Sequence, residues 1–92
     1  MITIELPTAL GAFVNGKSHV VVDEPCPTVR DALAALGKRA PGALDRVMDE
    51  RGEVRQHVNV FVNDQNIRFA DGLRTPVPDR STITVLAAIS GG

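Results

Sequence analysis

A chain of 92 residues, 43% hydrophobic and with a formal net charge of −1, fits one small globular domain and leaves no room for a second. Ten Lys and Arg against eleven Asp and Glu, with no long basic run, argue against nucleic acid as the main partner, since phosphate neutralisation needs clustered cations. Three Phe and no Trp or Tyr disfavour a base-stacking platform, and so small a domain has little room for a deep cleft, so a binding or carrier protein is expected ahead of an enzyme.

At the start of the chain, Ile2, Ile4 and Leu6 alternate with Thr3 and Glu5, the period of a strand with one buried face. This opening lacks the charged and apolar regions of a signal peptide, and no apolar run approaches the ~18 residues of a membrane span. A loop is expected around Gly11, with a turn at Asn15-Gly16. His19-Val20-Val21-Val22 then reads as a second strand, ended by Asp23-Glu24-Pro25, which makes an N-terminal hairpin.

Cys26, between two prolines, is the only cysteine, so it forms no internal disulfide and no cysteine-based zinc or iron–sulfur site. A sulfur relay at the helix start is conceivable for it, but a tucked loop cysteine is the better reading. Thr28 has the character of a helix N-cap, with Asp31 three residues on. Val29, Ala32, Leu33 and Leu36 form one helical face, and Gly37 or Pro41-Gly42 is expected to stop the helix after about three turns. The mixed-charge stretch from Asp45 to His57 reads as a solvated connector, with a brief helical turn anchored by Leu44, Val47 and Met48. His19 and His57 share no ligand spacing and read as ordinary strand or loop residues.

Val58 to Val62 alternates again, Asn63-Asp64-Gln65-Asn66 supplies a turn, and Ile67-Arg68-Phe69 is expected as a short edge strand. Pro76, Pro78 and Asp79 mark a loop. Thr82 to Ala87 is the last strand, rich in β-branched residues. One amphipathic helix across a sheet of this strand order is the α+β, β-grasp (ubiquitin-like) arrangement, with a mixed sheet. A domain over 1–88 would be followed by a flexible tail over 89–92.

That tail is Ile89-Ser90-Gly91-Gly92. Gly91 and Gly92 have no Cβ, so this backbone can enter a channel too narrow for other residues. Fully extended, it reaches on the order of 14 Å beyond the sheet. Small Ser90 reads as a tail residue, because no Ser-His-acid pattern accompanies it. Within the third strand, Val58, Val60 and Val62 would face the helix and Phe61 the other side. Ile83, Val85 and Ala87 would likewise face the core, which puts Leu86 outside. Phe61 and Leu86 are therefore expected as an exposed apolar patch for a partner.

The terminal diglycine, with Val58-Asn59-Val60-Phe61-Val62-Asn63-Asp64, Ile67-Arg68-Phe69 and Gly72-Leu73, resembles the ThiS/MoaD family of ubiquitin-like sulfur carriers. The chain is similar above all to the longer, CysO-like members. It departs from them at Asp79-Arg80-Ser81, where many members have Asp-Gly-Asp, and at Ser90, where many have Ala. With no signal peptide, membrane span or internal disulfide expected, the chain reads as cytoplasmic, and the resemblance implies a cosubstrate, monomeric when free, that binds no cofactor itself. A partner activating enzyme would adenylate Gly92 with ATP and magnesium, and sulfide or a persulfide enzyme would supply the sulfur. The resulting thiocarboxylate would pass it to an acceptor such as a PLP cysteine synthase or a thiazole-synthase-like barrel. Other readings stay open: a molybdopterin synthase small subunit, a carrier for thiamin or tRNA thiolation, a protein modifier, or a plain β-grasp interaction module. A β-grasp ferredoxin is excluded, because one cysteine cannot hold its cluster.

Overall fold

The computed structural model describes residues 1–87, so the proposed tail lies outside the described residues. Strands β1 (Ile2–Glu5) and β2 (His19–Val22) form the expected antiparallel hairpin, with Ile4 opposite Val20. The predicted turn is present: Asn15 and Gly16 both take left-handed backbone, at φ 57° and 78°. The segment before it is not an open loop. Thr8–Val14 winds into a 3-10 helix that buries Leu10 and Val14.

Helix α1 (Val29–Arg39) starts on a complete capping box. Thr28 Oγ1 accepts from the Asp31 N–H at 3.4 Å, and Asp31 Oδ2 accepts from the Thr28 N–H at 3.1 Å. Its predicted face is buried: Val29, Ala32, Leu33 and Leu36, joined by Ala35. Gly37 does not stop the helix. A Cβ there would lie 2.4 Å from Leu44 Cδ2, so the glycine lets a second helix pack close. The stop comes at Ala40, because Pro41 disfavours helical backbone in the residue before it. Pro41 then opens helix α2 (Pro41–Val47), where a proline at the first position loses nothing. The expected brief turn is thus a full seven-residue helix, and Val47 is completely buried. The connector after it is also ordered, with the Asp49 carboxylate accepting from the Arg51 and Glu53 N–H groups.

Strand β3 (Val58–Val62) turns through Asn63-Asp64 into β4 (Gln65–Asn66), pairing Val62 with Gln65. The edge strand therefore lies two residues earlier than expected. Ile67–Phe69 is a 3-10 turn, because Ile67 drops into the core and Asn66 Oδ1 caps the turn by accepting from the Arg68 N–H at 3.0 Å. Strand β5 (Thr82–Ala87) completes a five-stranded sheet in the order β2-β1-β5-β3-β4. It runs parallel to β1 and antiparallel to β3. This is the mixed β-grasp sheet expected from the strand order. The turn that feeds β5 holds Arg80 at φ 65°, a conformation that glycine adopts without strain.

One core fills the space between sheet and helices. Ile2, Ile4, Val22, Val60, Ile83 and Val85 meet Val29, Leu33 and Leu36, all nearly inaccessible to solvent.

Candidate functional site

Strand pairing decides what the sheet presents on its uncovered side. Phe61 stands between Thr84 on β5 and Asn66 on β4, and Leu86 stands opposite Asn59. Residues paired across strands share a face, so Phe61 and Leu86 are diagonal neighbours, spaced about 7–8 Å at Cα. Leu86 is 48% exposed. Phe61 is only half-buried, so the expected pair of open apolar side chains becomes one open and one partly covered. Its row is filled by Thr84 and Asn66, and the Asn66 amide donates to Asn59 Oδ1 at 3.3 Å beside it. The apolar spot thus sits in a polar frame of Thr and Asn.

Beyond Leu86, β5 ends at Ala87, which pairs with Val58 at the first residue of β3. This is the root of the tail. Gly92, expected to carry the chemistry, and Ile89, Ser90 and Gly91, expected to thread a partner's channel, fall outside the described residues. Ala87 lies on the core face with Val85, as expected, but it is exposed and lines a groove with Leu10 and Val47 instead of being buried.

Two features escaped sequence reasoning. Phe69 is 84% exposed on the turn after β4, the most exposed large apolar side chain among the described residues. The other is charge. No basic run exists in the sequence, yet the fold gathers arginines into two grooves on either side of Val58. Arg30, Arg51, Arg68 and Arg74 line one, of about 640 Å³, and Arg46 and Arg55 line the other, of about 310 Å³, beside Ala87. Arg68 donates to the carbonyls of Gln56 and Val58, and Arg55 to that of Asp45. Arg46 lies 5.4 Å from the centre of the Phe13 ring.

The remaining candidates are structural. Cys26 is buried, with Sγ 3.4 Å from the Glu24 carbonyl. Burial pushes its thiol pKa up, and the neighbouring Glu24 and Asp31 charges add to that, so its nucleophilic thiolate is disfavoured. Glu24 accepts from Arg39 at 2.7 Å and Lys38 at 3.5 Å, and the Arg39 hydrogen bond chiefly holds its carboxyl below the usual range. His19 and His57 are exposed on separate strands or loops. No three His, Cys, Asp or Glu among the described residues are grouped to hold a metal ion, and no described helix is long and apolar enough to cross a membrane.

Comparison with known proteins gives a consistent result. The ThiS family model matches residues 4–92. The sulfur carrier protein CysO of Mycobacterium tuberculosis is 31% identical over 93 residues, covering 99% of this chain and 98% of that one. A chain of the BexX/CysO complex of Amycolatopsis orientalis superposes with a TM-score of 0.88 at 32% identity, covering 100% of both chains. Small archaeal modifier protein 3 of Haloferax volcanii is 34% identical over 65 residues, covering 71% of this chain and 70% of that one.

Proposed function

The chain belongs to the ThiS family, and from that premise we propose that it is a sulfur carrier whose cargo is held at the carboxylate of Gly92. The observation that carries the reading is that similarity to a sulfur carrier protein spans 99% of the chain, while the family match continues through Gly91-Gly92. The protein is then a cosubstrate, and its partners supply the catalysis.

A carboxylate is a poor electrophile. In the proposed cycle an activating enzyme, using ATP and magnesium as its own substrate and cofactor, converts the Gly92 carboxylate to an acyl adenylate and releases pyrophosphate. Sulfide attacks the acyl carbon, AMP leaves with the C–O bonding pair, and a thiocarboxylate remains. If a persulfide enzyme is the donor, a thiol must afterwards cleave the S–S bond. The sulfur is then transferred to an acceptor such as a PLP cysteine synthase or a thiazole-synthase-like barrel.

Ile89, Ser90 and Gly91 are assigned to the partner's channel, where small residues let the backbone pass. Leu86 and half-buried Phe61 are assigned to docking, next to the strand that launches the tail. The relative in the BexX/CysO complex supports docking on a partner protein.

Intact-mass analysis of the protein isolated from its native cells tests the reading. An oxygen-to-sulfur exchange confined to the C-terminal peptide is expected, and deletion of Gly91-Gly92 abolishes it. Sulfur transfer that survives the deletion would rule out this site. The likeness to a small archaeal modifier protein favours a second reading, in which Gly92 forms amide bonds to lysines of other proteins. Gly92-linked lysine peptides without any thiocarboxylate would decide for it.

A further inference from the structure

The arginines are unevenly spent over this molecule. Six of the eight line the two grooves flanking Val58, where only two carboxylates, Glu53 and Asp71, join them, although the whole chain is slightly acidic. Among the described residues only Arg51 of these six pairs with a carboxylate, through Asp49 and Glu53. Arg39, outside the grooves, shows the ordinary alternative in its ion pair with Glu24.

Arg30 is the most telling. It stands in the first turn of α1, where the helix dipole disfavours a cation, and its guanidinium makes no hydrogen bond or ion pair among the described residues. The Arg74 guanidinium also lacks such a partner among the described residues and lines the same groove, brought near α1 by the Val29 N–H bond to the Thr75 carbonyl. Neither arginine is explained by the stability of the fold.

Between these cations the larger groove has an apolar floor. Ile67 and Val60 are buried, and Val54 and Leu73 are partly open and packed on the core. A rim of guanidiniums over an aliphatic floor matches one kind of occupant. We propose that this groove docks an acidic segment of a partner protein, with its carboxylates on Arg30 and Arg74 and an apolar side chain against Val54 and Leu73. Arginine favours this pairing through its planar, bidentate donors. A nucleic acid suits the groove less well: its lining has no aromatic side chain for stacking, and Glu53 and Asp71 interrupt the cations. The proposal stands on charge and shape alone. It concerns a different surface from Phe61 and Leu86 and does not depend on chemistry at Gly92.

The test is titration of the isotope-labelled full chain with a synthetic amphipathic peptide of Glu and Leu. The same peptide with Lys for Glu and a single-stranded oligothymidine serve as comparison probes. Amide shifts are expected to concentrate at Val54, Ile67, Gly72 and Leu73 with the acidic peptide, and to vanish with the basic one. Binding should weaken as salt rises. The double substitution Arg30→Glu with Arg74→Glu should weaken it by about tenfold or more, since opposed charges become like charges. The fold should tolerate this pair, because both sites are exposed and an acid suits the first turn of α1. An unchanged melting temperature would verify that, and the shift map of the unaltered chain stands even if the variant fails. No shifts, shifts centred on another face, equal binding of the basic peptide, or binding of the oligonucleotide in preference to the acidic peptide would each overturn the proposal.

Discussion

The two faces of the sheet are made from the same strands and do opposite things. Towards the helices, Val58, Val60, Val62, Ile83 and Val85 form an almost solvent-free aliphatic layer. On the other side, one residue along in each strand, Asn59, Phe61, Thr84 and Leu86 meet water. A period of two lets one strand serve cohesion and recognition at once. The contrast teaches that a residue's contribution here depends on its parity more than on its hydrophobicity: Val85 and Leu86 are adjacent and both apolar, yet only Val85 is buried in the core.

The largest effect that could break this contrast is at Ile83, which is fully buried. Ile83→Ala should cost about 2–5 kcal/mol through lost transfer energy and a residual cavity. Its chemical-denaturation midpoint should fall sharply, and a drop no larger than that of Thr84→Ala would mean the faces are misassigned. Smaller and different in kind is the effect at Leu86. Leu86→Ala should leave the melting temperature nearly unchanged and weaken binding to the activating partner about tenfold, equivalent to ~1.4 kcal/mol. Phe61→Ala should show a weaker binding effect with some loss of stability, because that side chain is already half-buried. Calorimetric affinities beside thermal melts would separate the two. Equal behaviour of Leu86→Ala and Ile83→Ala in the melts would collapse the distinction between faces.

The smallest expected effect lies at the turn delivering β5 to both faces. Arg80 holds a left-handed backbone at φ 65°, so Arg80→Gly should relieve strain and stabilise the domain by up to about 1 kcal/mol, less the added entropy of the unfolded chain. A lowered midpoint would show that the arginine side chain contributes more than its backbone conformation costs.

These faces were legible in the sequence because alternation is local. Ile2-Ile4, Val58-Val60-Val62 and Ile83-Val85 each announce their strand, and Thr28 with Asp31 announces the helix start. The misses have a common cause. Leu10 and Val14 in the 3-10 helix, and Ile67 after β4, are single buried residues in short segments, too few to establish a period. Of the two stops the sequence offered, Pro41 holds and Gly37 does not, because the glycine's reason, the approach of Leu44, belongs to a neighbouring helix. The arginine-lined grooves were hidden for the same reason. Arg30, Arg46, Arg51, Arg55, Arg68 and Arg74 span forty-five residues of sequence and come to flank Val58 only when α1, α2, the connector after it and the 3-10 turns close around β3.

The parallel pairing of β1 with β5 has a consequence for how the protein is made. Strand β5 occupies the centre of the sheet, between β1 and β3, although it is synthesised last of the described elements. Until residues 82–87 have left the ribosome, the N-terminal hairpin and the β3–β4 hairpin have no common neighbour and the aliphatic layer has a missing row. Such a chain closes its longest loop late, which slows folding relative to a helical domain of equal size. Translation that stops short of β5 yields a chain without a stable fold, exposed to proteolysis, so the population of folded molecules is drawn from chains that have already produced the strand leading into the tail.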